Sequence, residues 1–146
     1  RHPNGVLIEM PNLKFYNSKD FVRYTLVGAS GVLVNLGMYI FLTRHFGFPK
    51  ELAPILAIET SVLSNFFLNN FWTFRKRTTE VPLISRLFKF HLVVGASGIL
   101  NYLTFFFLFK VILLNDLLAN LAGISVAAVL NYLINSSWTW RDESQT

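Results

Sequence analysis

The sequence contains no cysteine, so disulfides, thiolate metal sites and cysteine nucleophiles are excluded. It is also poor in charge: 14% of residues are charged, against roughly 25% in soluble chains. His2, His45 and His91 are too scattered to give metal-ligand spacing. No Gly-Lys-Ser follows either Gly-Ala-Ser-Gly run, so neither is a nucleotide loop. No cofactor and no metal are expected. Apolar residues fill the space: 53% are hydrophobic, in blocks that reach the roughly 20 residues a helix needs to cross a bilayer. The fold class expected is an all-α integral membrane protein. The net charge of +5 is distributed to suit anionic lipid at one membrane face, and no nucleic-acid partner is expected.

The runs divide the chain into a leader of residues 1–20, a four-helix membrane domain of residues 21–141 and a polar tail of residues 142–146. Pro3, Gly5 and Pro11 suit an extended or partly disordered leader, with Leu13 to Tyr16 expected to lie in the membrane interface. Helix one is expected from about Phe21 to Arg44 and helix two from about Glu51 to Phe74, with Pro54 in its first turn. Helix three is expected from about Leu87 to Leu114. Asn115-Asp116 caps helix four, which runs from about Leu117 to Trp140.

The chain reads as a two-fold internal repeat, residues 21–75 and 88–141. Phe21 to Leu33 matches Phe88 to Leu100, and Asn65 to Arg75 matches Asn131 to Arg141. Helix two carries the stripe Ala53, Ala57, Ser61, Asn65 and Asn69; helix four carries Ala119, Gly123, Ala127, Asn131 and Asn135. Small residues at a spacing of four let helix backbones approach closely, and Gly28, Gly31 and Asn35 offer a similar face on helix one. Two spans return to the starting side, so the repeats are parallel rather than inverted. Lys and Arg crowd the leader, the middle loop and the tail, which places both termini in the cytoplasm.

Glu59 is the sharpest candidate. A lone carboxylate at the bilayer centre costs roughly 2.5–3.5 kcal/mol on insertion scales. It is expected to be protonated, and either binds substrate or a proton, or bonds a neighbouring helix through Asn35 or Asn101. Asn35, Asn65, Asn69, Asn70 and Asn101 have the donors and acceptors to bind sugar hydroxyls or phosphate, and equally to join helices. Asn70 lies off the matched stripe and is the better ligand candidate. Arg23, Arg75, Lys89 and Arg141 form a set of cations at one membrane face, suited either to a lipid phosphate or to setting topology. Trp72, Trp138 and Trp140 suit an interfacial belt.

Phe21-Val-Arg-Tyr-x3-Gly, Asn35, Glu59 and Asn65-x3-Asn69-x2-Trp72-Thr-Phe resemble the GtrA-like membrane proteins, and the homologous four-helix membrane domain of certain prokaryotic dolichol-phosphate mannose synthases. The resemblance covers about Phe21 to Arg141, and Asn65 to Phe74 and Ser85 to His91 are closest to the synthase form. It implies a role in cell-surface polysaccharide or glycolipid synthesis, at the cytoplasmic (inner) membrane. The first expectation is a multi-pass flippase, or flippase subunit, for a polyprenyl-phosphate-linked sugar. The alternative is a non-transporting anchor that presents lipid carrier to a membrane glycosyltransferase. Either way the chain is expected to be no enzyme, since it lacks the synthases' catalytic domain. A parallel repeat supplies no exchange between inward and outward states, which points to a homodimer or a partner.

Overall fold

The computed structural model describes residues 18–77 and 80–141, and among them the regular structure is entirely helical. The expectations for residues 1–17 of the leader and for the 142–146 tail lie outside the described residues. The four helices are α1, Ser18–His45; α2, Ala53–Leu68; α3, Leu83–Phe106; and α4, Asp116–Ile134. The last three each run on into one π-helical turn: Asn69–Thr73, Phe107–Val111 and Asn135–Thr139. Three of the four are long and apolar enough to cross a membrane: Ser18–His45, Leu83–Val111 and Asp116–Thr139. α2 is the fourth helix.

Helix starts and stops follow local chemistry. Pro54 occupies the first turn of α2, where no intrahelical bond needs its missing N–H. Asn115 caps α4, its Oδ1 accepting the Leu117 N–H at 3.0 Å. α3 begins four residues before the expected Leu87, because Pro82, with ψ 147°, ends the preceding extended segment and Leu83 can start the helix. That shift puts Ser85 and Arg86 on a helix rather than in a loop. At the far tips, two chain reversals use the left-handed backbone region. Gly47 (φ 61°) closes α1, with the Phe48 N–H on the Leu42 carbonyl at 3.0 Å. Leu113 (φ 58°) closes α3, with the Leu114 N–H on the Leu108 carbonyl at 2.9 Å.

α1 packs chiefly against α2, and α3 against α4. Close approach in each hairpin depends on one glycine. A Cβ on Gly31 would lie 2.5 Å from Asn65 Nδ2, and one on Gly123 would lie 2.5 Å from Asn101 Oδ1. Asn65 Oδ1 and Asn101 Oδ1 are buried without a conventional hydrogen-bond partner. The glycine Cα–H groups aimed at them are weak donors, of a kind that recurs where helices approach closely. Ser61 adds a donor to the Gly31 carbonyl at 2.7 Å. Gly28 and Gly98 meet nothing within 4 Å, so Gly28 is no part of the α1 packing face.

The two hairpins join in an aromatic cluster at the end where α1 and α3 begin and α2 and α4 finish. Tyr24, Phe66, Phe74, Phe90, Tyr132 and Trp140 are its buried members, drawn from all four helices. The π turns create it. An i→i+5 bond from the Phe74 N–H to the Asn69 carbonyl (2.8 Å) widens the turn, and the Trp140 N–H and Asn135 carbonyl repeat this at 2.9 Å. The wider turn lets both the i+4 threonine and the i+5 aromatic lie beneath the asparagine. Thr73 then donates to Asn69 Oδ1 (2.8 Å) and Thr139 to Asn135 Oδ1 (2.7 Å), with all four residues buried.

Candidate lipid-phosphate site and polar groups

The same widened turns swing Trp72 and Trp138 outward, where they stand 41% and 44% exposed. A cation from the neighbouring helix of the same hairpin lies over each: the Arg23 guanidinium is 5.9 Å from the Trp72 ring, and Lys89 Nζ is 5.2 Å from the Trp138 ring. Lys89 and Trp138 line a groove of about 540 Å³ together with Ile84, Ser85, Phe88 and Leu92. Arg23 opens on a second groove of about 340 Å³ with Ser18, Lys19 and Val22. Of the four expected lipid-phosphate residues, Arg23 and Lys89 thus belong to two separate grooves, one per hairpin. Arg75 and Arg141 stand exposed just beyond the π turns.

Three polar residues at this end were not singled out from the sequence. Arg77 is the first. Its Nη1 donates to the Ser136 and Trp140 carbonyls, the latter at 3.0 Å, its Nη2 lies 3.4 Å from Asp20 Oδ2, and its guanidinium covers the Phe74 ring at 4.5 Å. It satisfies carbonyls that the end of α4 leaves open and ties the middle loop to α1 and α4. Arg86 is the second: Nη1 donates to Asn70 Oδ1 at 2.5 Å, while Trp140 Nε1 donates to the same oxygen at 3.2 Å. Asn70 is therefore engaged as a strut between α2, α3 and the end of α4.

His91 is the third, and it changes the account of Glu59. The expectation was a carboxyl that binds substrate or a proton, or else bonds a neighbouring helix through Asn35 or Asn101. The structure instead places Glu59 Oε1 3.0 Å from His91 Nε2, with 52% of the Glu59 side chain and 32% of the His91 side chain exposed. His91 Nδ1 lies 2.9 Å from the Leu87 carbonyl. A carbonyl only accepts, so the network assigns a proton to Nδ1. The Nε2–Oε1 contact then holds a single proton, either on the acid or on the ring. Periodicity along α2 gives no sign of which α3 residue stands opposite, and so this pairing was not legible.

The remaining asparagines divide by partner. Asn69 is buried on Thr73. Asn65 and Asn101 press on their glycines. Asn35 is half-buried, with no side-chain hydrogen bond among the described residues. Asn131 and Asn135 join a network with Tyr24: the tyrosine hydroxyl donates to Asn131 Oδ1 at 2.8 Å and accepts from Asn135 Nδ2 at 2.9 Å. The structure therefore does not gather Glu59, Asn70, Asn35, Asn65, Asn69 and Asn101 into one pocket. Most are used between or within helices, and the two cation–tryptophan grooves are open features at the end where α1 and α3 begin.

The GtrA/DPMS transmembrane domain matches residues 23–141, which include both tryptophan segments. The chain is 40% identical over 119 residues to a dolichol-phosphate mannosyltransferase of Pyrococcus furiosus, a match that covers 82% of this chain and 33% of that protein. The chain thus spans about a third of that relative's length. Three apolar helices of spanning length, a fourth helix between them and a family match over most of the sequence lead to one conclusion: this is a membrane protein that belongs to the GtrA/DPMS transmembrane-domain family.

Proposed function

We propose that this chain is a membrane domain that holds a polyprenyl-phosphate lipid, with the phosphate at its basic end, and presents it to a glycosyltransferase in glycolipid or polysaccharide synthesis. The observation that carries the reading is Lys89, held over Trp138 in a groove whose other walls are mostly apolar. An ammonium suits a phosphate, an indole suits the interface, and Ile84, Phe88 and Leu92 suit an isoprenoid chain. The relative's name, dolichol-phosphate mannosyltransferase, supports this class of lipid. In this reading the chain is accessory to catalysis and resides in the cytoplasmic membrane.

The arrangement we propose has four crossings, built as two parallel repeats with both termini cytoplasmic. α2 would be the fourth span: with its π turn it runs from Ala53 to Thr73, roughly 30 Å at about 1.5 Å per residue. A second reading, translocation of the sugar-bearing lipid, is favoured by the Glu59–His91 pair, a titratable couple facing outward from α2 and α3. Without exchange symmetry within the chain, translocation would call for a homodimer or a partner. Reconstitution in liposomes with labelled polyprenyl-phosphate sugar separates the two. Presentation predicts binding without sugar exposure on the far leaflet. Exposure that depends on Glu59 and His91 would establish the flippase instead.

A further inference from the structure

The chain carries its cation–tryptophan arrangement twice, and one carrier lipid uses only one of them. Resting on the reading above, we infer that the Arg23 groove is a second lipid-phosphate site, so that the chain holds two polyprenyl-phosphate lipids at once, one on each hairpin. The parts are alike, although the cations are offset by one residue: the match of Phe21 with Phe88 pairs Arg23 with Phe90 and Lys89 with Val22. Each groove has a serine near the start of its helix, Ser18 on α1 and Ser85 on α3, with a cation about one turn on, Arg23 and Lys89. Each cation lies over the exposed tryptophan of its own hairpin's π turn. The nearby acid on α1, Asp20, is turned to Arg77 at 3.4 Å, so the positive charge of Arg23 remains available to an anion.

The two sites differ in what they hold. The Lys89 groove is larger and offers three apolar walls, and so it grips the isoprenoid chain as well as the phosphate. The Arg23 groove is smaller, with Val22 as its apolar wall and Lys19 beside the guanidinium. It therefore grips mainly the phosphate, which a guanidinium meets with two parallel donors. A carrier at one site and its sugar-bearing product at the other would let an incoming lipid bind before the outgoing one leaves.

The test counts lipids. The full chain is placed in nanodiscs of phosphatidylcholine containing polyprenyl phosphate, and the bound lipid is counted by native mass spectrometry. Two bound molecules are expected for the wild type, one for Arg23→Gln, one for Lys89→Gln and none for the double variant. Arg23→Lys, which keeps the charge, should restore two and guards against a folding defect. Replacing polyprenyl phosphate by polyprenol should empty the Arg23 site first. A wild type that saturates at one lipid, lost in Lys89→Gln but not in Arg23→Gln, would overturn the second site and leave the proposed function standing. Two lipids retained in Arg23→Gln would also overturn it. No bound lipid in any form would overturn both.

Discussion

The hairpin of α1 and α2 and the hairpin of α3 and α4 share a plan but differ in how firmly it is held. In the first, the Asn69 side chain bonds Thr73, and its π turn ends on Phe74. In the second, Asn135 bonds Thr139, Asn131 and Tyr24, and the turn ends on Trp140, whose indole reaches Asn70. The second closing segment thus reaches α1 through Asn135, whereas the asparagine at the matching place in the first, Asn69, stays within its own turn, and the first segment is tied across only through Asn70, to Arg86 and Trp140. At the tips the order reverses. The first hairpin closes on a glycine, and the second asks a leucine to adopt the backbone that glycine favours. The two hairpins share a backbone plan but differ in the hydrogen bonds that stabilise it.

The comparison can be broken most forcefully at the aromatic end. Trp140 stacks on Phe74 at 4.7 Å, meets Phe90 edge-on at 5.5 Å and is 1% exposed. Trp140→Ala should destabilise the folded chain by about 3–5 kcal/mol and free Asn70 from one of its two donors. Phe74→Ala, its counterpart, should cost less, since no hydrogen bond goes with it. Thermal unfolding in detergent would rank the two, and the opposite ranking would contradict the wiring described above.

Next come the glycines. A Cβ at position 31 meets the movable Asn65 amide, whereas one at position 123 also meets the Asn101 backbone carbonyl at 2.8 Å. Gly123→Ala should therefore cost about 1–3 kcal/mol, and Gly31→Ala measurably less. Equal losses would mean that both sites relax alike. Unchanged stability for Gly123→Ala would refute the close approach of α3 and α4.

Asparagine replacements sharpen the difference at a smaller scale. Asn135→Ala strips the Tyr24 and Thr139 hydroxyls of a partner and should cost about 1–3 kcal/mol; Asn69→Ala strips only Thr73 and should cost less. The smallest effect runs the other way. Leu113→Gly relieves a left-handed leucine and should gain about 1 kcal/mol, whereas Gly47→Leu should lose a similar amount. A loss on Leu113→Gly would show that the exposed leucine makes a contact worth more than its backbone strain.

Most of the helical plan was legible. Runs of apolar residues located the four helices, Pro54 and Asn115 marked two starts, and stripes of four brought Ala53, Ala57, Ala119 and Gly123 to buried faces. The π turns were not legible, because the same Asn-x-x-x-Asn-x-x-Trp-Thr pattern also fits an α-helix; only the shared burial of Thr73 with Phe74, and of Thr139 with Trp140, requires the wider turn. The site was legible in its parts. Arg23 and Lys89 could be picked out as cations near a membrane face, but their division between two grooves depends on which helices neighbour one another. Arg77 and His91 escaped for the same reason: one sits in a loop and the other inside a span, and each acquires its role from a residue more than thirty positions away.

Binding selectivity at Lys89 tests the central claim most directly. The chain in detergent or nanodisc is titrated with polyprenyl phosphate and with the polyprenol of the same length, for the wild type and for Lys89→Gln. The account predicts that the wild type prefers the phosphate by about tenfold or more, near 1.4 kcal/mol, and that Lys89→Gln weakens binding of the phosphate more than binding of the polyprenol. A wild type that binds both lipids equally would contradict it.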